Sequence, residues 1–433
     1  MFKTDWHLRT LFTSSLMVVL VRVAGILLQA LIVLYLARTL SLEEMGYFSI
    51  AYALLGLARM LGPLGSDQIA IREISNALSQ GNLAEAQALS TTSLALVLAA
   101  NGAFSFICFV ALLFLADITA LTFLDCLTIS LALPSFALNG LFVGQIRAMG
   151  KPVLAQLPDS VGSQILLLTG LGGLLCYGQI TLSSVLSLLC LASWSVSGVY
   201  FHARRRAGLY ASEYPVRSAV WILACRGSSI SLATIFTGLS VRAPLLLSAP
   251  LLGPSATAIL EIANRFGTLP SVITNSVAST FSPRFAILAK KNDRSGLYKA
   301  YLLAASLSFI PAIVILVFLA ALAPPLFGWL LPADYAQAYV PLLIITAASA
   351  LNGALGITGN ILVMADLPHP VRVLSFVRLV AVTVMSVVFG SSHGVLGMAC
   401  AIFLATALRD GGLAIVAQQK LGSPKASMNG IIQ

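Results

Sequence analysis

The chain has 433 residues, 58% of them hydrophobic and only 9% charged, with a net charge of +10 and a mean hydropathy of +0.95. Soluble domains carry roughly 25% charged residues, and no polar block reaches the roughly 50 residues of a small soluble domain, so the composition excludes a water-soluble protein. The basic charge lies between apolar runs, which points to membrane orientation and anionic lipid rather than to nucleic acid.

The first ten residues, MFKTDWHLRT, are basic. The apolar run behind them, Leu11 to Leu36, exceeds a signal core and lacks a small-residue cleavage site, so it reads as a retained first helix. Twelve spans fit the pattern, at 11–36, 47–66, 88–116, 121–146, 155–177, 180–201, 218–240, 247–278, 299–323, 338–364, 371–390 and 393–416. The expected fold class is therefore all-α, a polytopic membrane protein of about twelve helices. Pro63, Pro134, Pro250, Pro270 and Pro311 interrupt spans, which membrane helices tolerate when neighbours satisfy the freed backbone groups. Lys and Arg collect in alternate links: Lys3 and Arg9, Arg72, Arg147 and Lys151, Arg204 to Arg217, Arg284 to Lys299, Arg372, then Lys420 and Lys425. The opposite links carry little beyond Arg38 and Arg242. This pattern predicts an even number of spans and both termini in the cytoplasm.

The sequence repeats itself weakly. SLEEMGYFSIA (Ser41 to Ala51) aligns with GPSATAILEIA (Gly253 to Ala263) at an offset of 212, and Arg72 then falls on Arg284. Asn139-Gly140 is echoed by Asn352-Gly353. The predicted organisation is an N-terminal six-helix lobe at 1–201, a basic cytoplasmic link at 202–217 and a C-terminal six-helix lobe at 218–433. Six spans per half keep both halves in one orientation. Parallel repeats of this kind are a transporter architecture, with the site at the repeat interface near the midplane.

Charges inside spans ask for a functional reason. Four arginines are read there: Arg22, Arg59 and Arg265 at matching depth, and Arg226 nearer the cytoplasm. Arg22 shares a helical face with Gly25 and Gln29, and Arg59 with Tyr52, Gly56 and Pro63. Glycine beside arginine is read as room for substrate or water. No acid stands three or four residues from Arg22 or Arg59, so both are expected to line a substrate cavity, with Asp67 as a structural rival partner. Arg265 has Glu261 four residues before it, the favourable order for an ion pair within the helix. Acids within spans are otherwise read as few: Asp67, Asp366 and Asp410, all near ends. An excess of buried guanidinium points to an anionic cargo, since Arg stays charged and binds phosphate bidentately.

Other chemistry is missing from the pattern. The six cysteines lie in or beside apolar runs without paired spacing and read as core residues. No GxxxxGK[ST] loop is present, and the four histidines stand on the tail or in links. Neither a cofactor, a metal site nor an enzymatic centre is expected. Gly170, Gly172 and Gly173 read as helix-packing positions.

The stretch LARTLSLEEMGYFSIAYALLGLARMLGPLGSDQIAIREIS, its weaker partner from Leu247, the link Ala148 to Pro152 and the closing HGVLGMACAIFLAT together resemble the polysaccharide transporter family. That family lies within the multidrug/oligosaccharidyl-lipid/polysaccharide exporter superfamily. The resemblance implies two six-helix lobes around a cationic cavity in the cytoplasmic (inner) membrane. It implies a flippase for undecaprenyl-diphosphate-linked oligosaccharide, an O-antigen or other surface-polysaccharide repeat unit. Membrane lipids, a polysaccharide polymerase and chain-length proteins are the implied partners. The substrate-binding set is expected to be Arg22, Arg59, Arg265, Arg226, Gln29 and Glu261. Two alternatives stay open. A cation-coupled multidrug exporter of the same superfamily needs acids facing its cavity, and Glu261 is the candidate. A membrane polysaccharide polymerase or ligase would show a large external loop.

Overall fold

A computed structural model describes residues 2–116, 121–178, 180–209, 217–291, 293–365 and 367–421, with side chains left out at 1–16 and 210–234 and at a few other positions. Among the described residues the regular structure is helical, without a strand. Helix α1 is Phe2–Thr39 and α2 is Leu42–Leu61; α3 covers 66–79 and carries a π turn at Ala70–Ile74. Helix α4 is Leu83–Ala116, α5 Phe123–Ala148, and α6 covers 152–177 with a π turn at Pro158–Gly162. Helix α7 is Leu182–Arg206, α8 Arg217–Leu252, α9 Pro254–Gly267 and α10 Leu269–Lys290. Helix α11 is Arg294–Leu330, and α12 covers 339–364. The last stretch, Pro368–Leu421, is two helices, α13 (368–393) and α14 (395–421), joined at Gly394.

Nine stretches among the described residues are long and apolar enough to cross a bilayer, and one of them, Pro368–Lys420, is long enough for two crossings. The second predicted span, which is not among those nine, is a broken helix, α2 then α3. Its start is a capping box, in which the Ser41 hydroxyl accepts from the Glu44 amide and the Glu44 carboxylate accepts from the Ser41 amide at 2.9 Å. Its break runs through Gly62 and Pro63, with Leu64 and Gly65 both at positive φ. The predicted span 47–66 thus begins earlier, and the polar segment beyond it is helical rather than a link. A similar break at Thr268 separates α9 from α10.

Contacts divide the chain into Met1–Ile235 and Phe236–Gln433. In the first unit α5 is the hub, packed against α2, α4 and α7. Its Gly140 and Gly144 lie against the backbone of Arg59 and Asp67, the close approach that small residues allow between membrane helices, and 72% of its apolar window is buried. In the second unit α12 takes that place, packed against α9, α11 and α14. The sequence repeat has a structural counterpart. Asn139 of α5 accepts from the Ser197 hydroxyl of α7 at 2.8 Å, and Asn352 of α12 donates to the Asp410 carboxylate of α14 at 2.7 Å. Both members of the pair are separated from their counterparts by the same 213 positions (139 to 352, 197 to 410).

The remaining quoted motifs are turns. In Ala148 to Pro152, Gly150 takes φ 72° after the end of α5 and Pro152 opens α6, the usual placement of glycine after a helix and proline at its start. In HGVLGMACAIFLAT, Gly394 takes φ 61° and a Cβ on Gly397 would stand 1.9 Å from the Phe389 carbonyl oxygen. The two helices therefore meet backbone to backbone. Of the three glycines read as packing positions, Gly170 faces Leu188, whereas Gly172 and Gly173 face open space.

Candidate functional site

In the first unit the charged residues gather where α1, α2, α5 and the π turn of α6 converge. The π turn places Asp159 against Arg59, and the two form an ion pair through Nη1 and Oδ1. Single-turn π bulges inside α-helices recur at functional sites. Arg59 stands in the last turn of α2, just before the break, so it lies near the middle of the broken helix 42–79. On α1, Gln29 donates to the Tyr52 hydroxyl of α2. Arg22 forms no hydrogen bond or ion pair among the described residues. Arg147, in the last turn of α5, lies within Coulombic reach of Arg22, Arg59 and Asp67. It donates to Gln156 at 3.1 Å, and Gln156 donates to Ser160 at 2.5 Å. Three guanidiniums thus face two carboxylates, and the cluster keeps an excess of positive charge.

Two expectations change here. Arg59 is paired across helices, by Asp159 rather than by Asp67. Gly25 does not make room for a ligand, because a Cβ there would meet the Ser160 carbonyl oxygen at 2.4 Å; it lets α1 lie against the π turn.

In the second unit a pocket of about 510 Å³ is lined by Arg242, Arg265, Arg378, Arg409 and Glu261. Arg265 pairs with Glu261 one turn earlier, as the spacing predicts. Arg409 pairs with Asp410 at 2.9 Å, and Asp410, fully buried, also accepts from Asn352. Arg242 and Arg378 have no hydrogen-bond or ion-pair partner among the described residues. The amides of Asn264, Asn275 and Asn360 also line the pocket without a side-chain hydrogen bond among those residues.

The predicted set is therefore split between units: Arg22, Gln29 and Arg59 in the first, Glu261 and Arg265 in the second. Arg226 falls on α8 where side chains are not described, and Asp366 lies outside the described residues. Sequence reasoning missed Asp159, Arg147, Arg242, Arg378 and Arg409. Arg378 carried the same signal as Arg22, a cation amid an apolar run. Arg242 was read as lying in the link between the spans 218–240 and 247–278, but α8 runs without a break from Arg217 to Leu252. Among the described residues no group of three metal-ligating side chains occurs.

A comparison with the curated proteins finds no relative. Several solved structures share the fold. An inward-facing multidrug resistance MATE family transporter of the MOP superfamily superposes with a TM-score of 0.78 at 13% identity, covering 93% of this chain and 98% of that one. An outward-facing MATE family transporter gives 0.66 at 15% identity, with 94% and 95% covered. The lipid II flippase MurJ in an inward closed conformation gives 0.73 at 14% identity, with 94% and 87% covered. A family model described as "Polysaccharide biosynthesis protein" matches residues 11–289, more than half of the length, and the chain belongs to that family.

Proposed function

We propose that this protein is a flippase that carries an undecaprenyl-diphosphate-linked oligosaccharide, an O-antigen or another surface-polysaccharide repeat unit, across the cytoplasmic membrane. Both termini are in the cytoplasm, and two six-helix lobes at 1–201 and 218–433 are joined by the basic link 202–217. The observation that carries the reading is the guanidinium cluster of Arg22, Arg59 and Arg147, in which Arg22 has no partner among the described residues. A cation at that depth is costly without an anion, and a diphosphate matches guanidinium geometry and charge. The family, and a lipid II flippase among proteins of the same fold, support a lipid-linked glycan as cargo. Alternating access would turn the cluster from one face of the membrane to the other.

The test is export in cells lacking the native gene. Arg22→Ala and Arg59→Ala should each abolish surface polysaccharide at normal protein abundance; full export by both variants defeats the reading. Asp159 and Asp410 favour a second reading, a cation-coupled drug exporter, because they add membrane-embedded acids. Each is already matched to an arginine, which weighs for the flippase. Raised drug sensitivity on deletion, with polysaccharide unchanged, would reverse that order.

A further inference from the structure

The pocket of the second unit holds more cationic charge than its own acids neutralise. Glu261 answers Arg265 and Asp410 answers Arg409. Arg242 on α8 and Arg378 on α13 remain without a partner among the described residues. Arg378 sits within the fields of both Arg409 and Asp410, but Asp410 is bonded to Arg409, so two acids stand against four guanidiniums and the site keeps room for an anion. Around it stand Asn264, Asn275 and Asn360, whose amides are unengaged among the described residues. A carboxamide offers one acceptor and two donors, the complement of neighbouring hydroxyls on a sugar ring. The volume, about 510 Å³, falls in the range of small-ligand pockets. Asn352 is not free to join, because it is bonded to Asp410; that clip holds Asp410 on Arg409, and Asp410 reaches Arg378 through its field alone, without a direct ion pair.

We propose that this pocket is a subsite for an acidic sugar, and that Arg242 and Arg378 recognise a carboxylate on the glycan itself. The proposal rests on the flippase reading and narrows it: the repeat unit carries a uronic acid or a sugar of like charge. The diphosphate is assigned to the cluster in the first unit, and the sugar carboxylate to this pocket.

The experiment uses the full-length protein in lipid nanodiscs and saturation-transfer NMR with a galacturonic acid trimer. Its fully methyl-esterified form is the control, the same shape without charge. The acidic trimer should bind about tenfold more tightly than the ester, the scale of a charge-assisted hydrogen bond. Arg242→Gln and Arg378→Gln should each abolish that preference, and Arg378→Lys should retain part of it. Inorganic pyrophosphate should not displace the trimer. Equal binding of trimer and ester overturns the proposal, as does an unchanged preference in Arg378→Gln. Displacement by pyrophosphate overturns it too, since the pocket would then hold the diphosphate. The two readings fail separately. Normal export by the Arg22 and Arg59 variants removes the diphosphate assignment while leaving trimer binding intact. Loss of export in those variants, with trimer and ester bound alike, removes only the acidic-sugar subsite.

Discussion

At the scale of single residues, the Arg59–Asp159 pair decides how the first cluster behaves. The Arg59 side chain is 34% exposed and Asp159 11%, so water screens part of their attraction. Removing either partner alone leaves a half-buried charge without its match. Arg59→Ala and Asp159→Ala should each lower the unfolding temperature in detergent, and the double variant should recover part of the loss. The expected coupling is about 1–2 kcal/mol; strict additivity in the cycle would show that the pair contributes nothing. The arginines were visible in the sequence because a cation inside an apolar run has few structural excuses. The pairing was not, because Asp159 is 100 positions from Arg59 and local spacing cannot reveal a partner on another helix. The Glu261–Arg265 pair was visible, since both residues lie on one helical turn.

At the scale of elements, glycines set the turns and close approaches. Gly394 holds a backbone conformation that side chains rarely adopt, and strain of that kind costs about 1–3 kcal/mol. Gly397→Ala should be at least as damaging, because the new methyl group would collide with backbone rather than with a movable side chain. Gly394→Ala and Gly397→Ala should both reduce the amount of folded protein recovered and lower its unfolding temperature, whereas Gly172→Ala, at an open position, should behave as the parent. Gly25→Ala should loosen α1 from the π turn and weaken export without touching a charge. The break at Gly62-Pro63 could be read directly from residue types. The helix that resumes at Ser66 could not, because polar, tertiary-supported helices carry no apolar signature. The π turn was equally hidden, since one extra residue in a turn leaves no mark in hydrophobic spacing.

At the scale of the whole molecule, membrane placement followed from composition alone, while the pairing of the charges within each unit needed coordinates. The orientation is open to a direct check. Fluorescent reporters that mature in the cytoplasm should light up when fused at the chain ends or within 202–217, and stay dark when inserted at 117–120. Bright signal at 117–120 would invert the topology argued from the basic links.

The matched clips Asn139–Ser197 and Asn352–Asp410 carry one more implication. In each unit an asparagine bonds to a residue 58 positions further on, a hydroxyl in the first and a carboxylate in the second. That single exchange allows Arg409 to sit beside a small-ligand pocket with its charge answered. In the second unit the joint therefore does two things at once: it fastens two helices and answers the charge of an arginine that lines the pocket. Exchanging the two, by Ser197→Asp together with Asp410→Ser, should leave the helices joined and strip the second unit of its selectivity.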